Sequence, residues 1–206
     1  MGANGDASRR RNPQGIRMND ESHQKNPWKT LGTKLVYENP WIRVREDDVI
    51  RPDGQPGIYG VVQTRIATGV VALTDDQQVY LIGQWRYPHE AYSWEIVEGG
   101  SDDDETALQA AQRELREEAG LEARHWEPLG NELHLTNCHS DERGYLFLAT
   151  GLTEVGACPD GTEDLTVRKM PLDDALAMID TGEIKDAMTV MGLLLLARKV
   201  ASETES

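Results

Sequence analysis

From Trp28 onward, short runs of β-favouring residues predict strands, and the run over 41–47 alternates apolar and polar positions with a period of two. Short β-favouring runs stand at 34–37, 41–47 and 58–65, with dense turn chemistry at 51–57. Further strands are predicted at 69–73 and 79–83, joined by a hairpin turn over 74–78, and at 94–97, where Gly99-Gly100 reads as a tight turn. The period then lengthens to that of a helix over 104–119, which Gly120 stops in the C-terminal position that glycine favours. Strands resume at 126–135, 144–150 and 165–170, followed by a helix from Pro171 to about 181 and an amphipathic helix over 188–201. The order predicts an α+β domain with a strand-rich N-terminal portion, without internal repeats or an interdomain linker.

Residues 1–26 lack this patterning. They are rich in Gly, Asn, Arg and Ser and read as a disordered tail, within which Met18 offers a later translation start. The five residues 202–206 read as a flexible end.

Composition narrows the class. With 206 residues, 38% hydrophobic and 28% charged, the chain reads as an ordinary soluble protein with a sizeable core. The 36 acidic residues against 21 basic ones give a net charge of −15. That excess argues against gripping nucleic acid or an anionic membrane by bulk electrostatics. It leaves an anionic small molecule open, because bound metal ions reverse a local field. No apolar run approaches the roughly 18 residues of a membrane span. Two cysteines and no apolar leader point to a reducing cytoplasm.

The long helix carries the candidate chemistry. At about 100° per residue, Leu108, Leu115 and Ala119 share one stripe, and Glu114, Glu117 and Glu118 share the adjoining face. Ala107, Ala110 and Ala111 around them leave room for a ligand. Carboxylates on neighbouring turns repel one another unless protons or cations relieve them, and hard cations with oxygen ligands are the natural relief. A solvated charged face is the commoner meaning of such a stretch. The position of the carboxylates beside the apolar stripe, and the glycine pair ahead of the helix, favour a site. Asp102, Asp103 and Asp104 read as capping charge against the helix macrodipole.

Gly99, Glu105 and the run Arg113-Glu114-Leu115-Arg116-Glu117-Glu118-Ala119-Gly120-Leu121 resemble the complete Nudix box, with every specified position met. The flanks agree: Gln84-Trp85-Arg86-Tyr87-Pro88 and Trp94-Glu95-Ile96-Val97-Glu98-Gly99-Gly100 resemble the segments that enter the box. Gly182-Glu183-Ile184-Lys185-Asp186-Ala187 with the last helix resembles the C-terminal end of ADP-ribose pyrophosphatase-type members. The resemblance runs from about Trp28 to Lys199. It implies a Nudix fold, a mixed sheet between helices, over 67–201, preceded by an antiparallel strand region over 27–66 for dimerisation and substrate recognition.

The resemblance also implies the site. Such enzymes hydrolyse a nucleoside diphosphate linked to another moiety, using Mg²⁺, for which Mn²⁺ can substitute. Glu114 and Glu118 would be the main metal ligands, Glu117 a further ligand or an orienter with a part in catalysis, and the backbone carbonyl of Glu98 another ligand. Glu105 and Arg113 would orient the box, with Gly99 and Gly120 shaping it. Glu142 matches a loop glutamate that serves as general base or as another metal ligand, ahead of its neighbours His139 and Asp141. Arg86 matches a phosphate-contacting arginine, while Trp41, Arg51 and Arg65 are candidates for holding base and ribose from the partner subunit of a homodimer. One departure stands out: Asn137-Cys138 occupies the place where the ADP-ribose group typically has a proline in a Ser-Pro-Gly stretch. ADP-ribose, ADP-glucose and GDP-mannose types therefore all remain open. The alternatives are a dinucleotide pyrophosphatase acting on NADH or FAD, and a non-catalytic sensor of nucleotide sugars. Neither nucleic acid nor a membrane is an expected partner.

Overall fold

Val70-Val71-Ala72-Leu73 places four apolar residues in succession, which a strand accommodates when both of its faces are covered. In the computed structural model, which describes residues 25–156 and 164–204, this is what happens. Strand β4 (Ala67–Ala72) sends Val70 and Ala72 into a cluster with Ala111 and Leu115, and Val71 into a second cluster with Met188, Leu193 and Leu196. β5 (Gln78–Arg86) and β10 (Arg143–Glu154) split in the same way. Tyr80, Ile82, Phe147 and Ala149 face the first cluster, and Leu81, Leu146 and Leu148 the second. Helix α1 (Ala107–Ala119) covers one side; α2 (Leu172–Thr181) and α3 (Ala187–Thr204) cover the other.

The central sheet is mixed, in the order β7-β4-β10-β8, with β7 at Val97–Gly100 and β8 at Leu121–Pro128. β10 runs parallel to β4 and antiparallel to β8, and the two-residue β9 (Leu133–His134) pairs with the start of β10. A second sheet has the order β11-β5-β6, with β6 at Ala91–Glu95 and β11 at Thr166–Pro171. A third contains the antiparallel strands β1 (Lys29–Glu38), β2 (Arg43–Ile50) and β3 (Pro56–Gln63). The expected Nudix fold, a mixed sheet between helices with antiparallel strands ahead of it, is the one observed.

The chain divides into two compact units. In the smaller, which includes the described residues through Thr33 and Asp47–Tyr59, Trp28 meets Tyr59 edge to face at 5.2 Å and Thr33 Oγ1 donates to Asp47 at 2.7 Å. The larger holds Lys34–Glu46 and the described residues from Gly60 onward, including both apolar clusters. The tail expected over 1–26 lies, apart from its last two residues, outside the described residues, as do Cys158 and residues 205–206.

Several local expectations need correction. The glycine pair is no turn: Gly99 and Gly100 continue β7 and pair with Thr68 and Ala67. The run read as one strand over 94–97 is two, because the chain changes sheets at Ile96, leaving β5 as partner of β6 and taking β4 as partner of β7. Helix α1 begins at Ala107 rather than 104. Its N-cap is Thr106, which forms a reciprocal capping box with Gln109, so the three aspartates do not cap it. Leu108 is exposed, whereas Ala110 and Ala111 are buried and serve packing rather than ligand access. Gly120 does end the helix, in the left-handed conformation (φ 65°) that suits a residue without Cβ.

Candidate active site

The site is organised where α1 crosses β7. An ideal Cβ on Gly99 would lie 2.0 Å from the carboxyl carbon of Glu114, so only glycine lets that carboxylate lie against the strand. One turn further along α1, Glu118 is 4% exposed and its Oε2 stands 3.4 Å from the backbone N–H of Glu98. Two helix carboxylates thus converge on the backbone at 98–99.

Arg113 holds the acidic face together. It donates to Glu105 through Nε and Nη2 at 2.9 and 3.0 Å, to the Gly100 carbonyl at 2.9 Å, and through Nη1 to Glu114 and Glu117 at 2.8 and 3.0 Å. The Glu105 bonds dominate in raising the arginine pKa, and the same pairing lowers that of Glu105. Glu105 in turn accepts from Asp102 N–H at 3.1 Å, and Asp102 pairs with Arg65 at 2.8 Å. Glu105, Glu114 and Glu117 are therefore pre-aligned by one guanidinium.

A cavity of about 550 Å³ opens over this face. It is lined by the carboxylate-bearing Glu98, Glu114 and Glu142 together with Gly99, by the cations Arg65, Arg86 and Arg113, and by Trp41. Trp41, 73% exposed, presents a ring at the rim. Glu142 also borders a neighbouring cavity of about 450 Å³, and burial raises its pKa above the ordinary glutamate value. Its loop is anchored by neighbours: the His139 carbonyl accepts from Val62 N–H at 2.8 Å, and Asp141 accepts from Thr64 N–H at 3.2 Å. Asp141 thus has a structural bond through its side chain, whereas the bond at His139 is made by its backbone. Arg51 lies in the smaller unit, paired with Asp53 at 3.1 Å.

Sequence reading missed a buried polar group behind this lining. Glu95, 2% exposed, binds Arg86 through both carboxylate oxygens, and this pairing raises the arginine pKa. Thr189 Oγ1 accepts from Ile96 N–H at 3.0 Å and donates to Glu98 Oε1 at 2.9 Å. Burial, then the charge and hydrogen bond of Asp186, push the Glu98 carboxyl well above the ordinary range. Burial works against the ionised form of Asp186 too, but hydrogen bonds with Glu98 and Thr189 outweigh it and leave that pKa lowered. The Gly182–Ala187 motif was the available signal, although nothing in it indicated which element it would meet.

The donors suit a hard divalent cation: Glu114, Glu117, Glu118 and Glu142 offer only oxygen. Among the described residues, no three acidic, His or Cys side chains stand together as a group that could hold a metal ion unaided. An open set of carboxylates fits an ion that keeps several waters and takes substrate phosphates as further ligands.

Comparison with known proteins agrees with this geometry. The NUDIX domain profile matches residues 63–190, and that of the nucleoside diphosphate sugar hydrolase N-terminal domain matches 28–62. An ADP-ribose pyrophosphatase of Mycobacterium tuberculosis is 31% identical over 170 residues, 81% of this chain and 82% of that protein. A methanol dehydrogenase activator of Bacillus methanolicus is 31% identical over 170 residues, 82% of this chain and 91% of that protein. A crystal structure of an ADP compounds hydrolase shares the fold with a TM-score of 0.77 at 23% identity, covering 85% of this chain and 95% of that one. Nudix hydrolases generally use divalent metal ions. With an intact box folded as a strand–helix carboxylate site, the chain belongs to the NUDIX family and is a Nudix pyrophosphohydrolase similar to ADP-ribose pyrophosphatases.

Proposed function

We propose that the protein is a Mg²⁺-dependent hydrolase of a nucleoside diphosphate sugar, ADP-ribose or a related compound. Water adds to one phosphorus of the pyrophosphate, the bridging P–O bond breaks, and a nucleoside monophosphate and a sugar phosphate leave. The observation that carries this reading is the single cavity lined by Glu98, Gly99, Glu114, Arg86 and Glu142. The N-terminal match to nucleoside diphosphate sugar hydrolases supports the sugar-nucleotide class.

Glu114 and Glu118 hold the cation with the Glu98 carbonyl, and Glu117 adds a further carboxylate. Bound Mg²⁺, or Mn²⁺ in its place, supplies Lewis acidity and charge neutralisation to the pyrophosphate. Arg86, locked by Glu95, presents its guanidinium to a phosphate oxygen. Glu142 takes the proton of the attacking water, a task suited to a carboxylate whose pKa is raised by burial. Trp41 offers a stacking face to the base, Arg65 contributes to holding the nucleotide, and Arg51 does so from the partner subunit of a homodimer. The working form is a cytoplasmic homodimer joined through the N-terminal strands, and nucleic acid is not a substrate.

Phosphorus NMR of products from ADP-ribose, ADP-glucose, GDP-mannose, NADH and FAD, with and without Mg²⁺, tests the reading. A nucleoside monophosphate and a sugar phosphate appearing only with Mg²⁺ support it. Failure to cleave any sugar nucleotide overturns it, and cleavage of NADH or FAD alone replaces it with the dinucleotide reading.

A further inference from the structure

The Gly182–Ala187 motif ends at a helix whose first turn reaches back to the box. Asp186 is the residue before α3: its carboxylate accepts from Thr189 N–H at 2.8 Å and its carbonyl from Val190 N–H at 3.0 Å. This fixes Thr189, fully buried, in the first turn. Its hydroxyl spans two residues of the strand that enters the site, accepting from Ile96 N–H and donating to the Glu98 carboxyl.

Ile96 is the residue at which the chain leaves one sheet and joins the other. A backbone N–H at such a break has no ladder to satisfy it, and burying it unpaired costs free energy comparable to a lost hydrogen bond. Thr189 supplies the acceptor. On the opposite side, Glu118 stands against Glu98 N–H. Glu98 is therefore gripped from both helical layers, by α1 through its amide and by α3 through its side chain, and it lines the cavity.

We propose that Thr189, held by Asp186, is a positioning residue that sets the place of the Glu98 backbone carbonyl toward the catalytic cation. The hydroxyl touches neither substrate nor cation. Its effect passes through Ile96 and Glu98, so a last-helix residue tunes a site built by a distant strand and helix. The inference rests on the metal-dependent reading of the site. Residues that orient metal ligands from behind change affinity or activity by about 10- to 100-fold when removed.

Mn²⁺ binding to the full chain, followed by the electron paramagnetic resonance of the free ion, measures this without turnover. Thr189→Val keeps the shape and removes the hydroxyl; Thr189→Ser keeps the hydroxyl. The Val variant is expected to weaken Mn²⁺ binding about 10-fold and to lower kcat with little change in KM for the nucleotide, while Ser retains wild-type behaviour. Glu98→Ala leaves the carbonyl in place, spares the α3 packing and cuts the same link from the other end. It should weaken Mn²⁺ binding as much, and adding Thr189→Val to it should cost little more. Wild-type Mn²⁺ affinity in Glu98→Ala or Thr189→Val overturns the proposal, as does a Ser variant as weak as the Val one. Weakened Mn²⁺ binding in the variants of a wild type that cleaves no sugar nucleotide supports this inference while overturning the proposed function. Absence of Mn²⁺ binding by the wild type overturns both.

Discussion

At Gly99, a missing methyl group decides where a carboxylate lies. The backbone there is ordinary strand, so alanine brings no conformational strain, and the atoms its Cβ would meet belong to the end of the flexible Glu114 side chain. The fold can absorb Gly99→Ala by swinging Glu114 away, but the site cannot. We expect Gly99→Ala to melt close to the wild type and to bind Mn²⁺ about 10-fold more weakly; calorimetric melting and metal titration together check this, and unchanged affinity would show that Glu114 is not a ligand. Glu142 makes a different prediction. A general base must be ionised, and burial raises its pKa, so activity should begin to fall, as pH decreases, above the range of an exposed glutamate. Glu142→Gln should remove that acidic limb and about 10²- to 10⁴-fold of kcat. An unchanged limb in the pH profile of the Gln variant would assign it to another group.

At the scale of an element, α1 has two duties on adjoining faces. Leu115 and Ala111 fix its depth against β4, β5 and β10, and Glu114 and Glu118 follow from that depth. Leu115→Ala should cost about 2–5 kcal/mol in urea unfolding, the usual toll of a large-to-small change in a core. It should also loosen metal binding, whereas a change at exposed Leu108 should do neither. The helix was legible because its signals are local: a glutamate face beside an apolar stripe, and Gly120 at its end. Its first turn was misread because a run of aspartates resembles capping chemistry, while the actual cap, Thr106 with Gln109, depends on side-chain geometry. The break between β6 and β7 was illegible for another reason. Strand pairing is set by residues far along the chain, and Trp94–Gly100 carries no local mark of which sheet each half joins. Thr189 was hidden likewise: its partners Ile96 and Glu98 lie more than ninety residues away.

For the whole molecule, β1 and the charge of −15 point the same way. β1 is an edge strand of ten residues in which all but Gly32 are exposed, including Leu31, Leu35, Val36 and Tyr37. Lys34, paired with Glu46, and Glu38, paired with Arg43, place charge along this edge, but its exposed apolar side chains still offer a surface that a second chain can cover, and a small sheet gains stability from such packing. A strongly acidic surface opposes indiscriminate association, so the contact that forms should be confined to this patch. We expect light scattering after gel filtration to give about twice the chain mass of 23.0 kDa, with an interface above roughly 1,000 Å². Leu35→Arg with Tyr37→Arg places two cations on one face of β1 and should yield a folded monomer with an unchanged Mn²⁺ affinity. Because the proposed cation ligands belong to α1 and β7, while Arg51 is proposed to reach the nucleotide from the partner subunit, dissociation should raise KM and leave metal binding intact. A wild-type chain of monomeric mass that turns over sugar nucleotides with low KM would refute the dimer and place the whole nucleotide site within one chain.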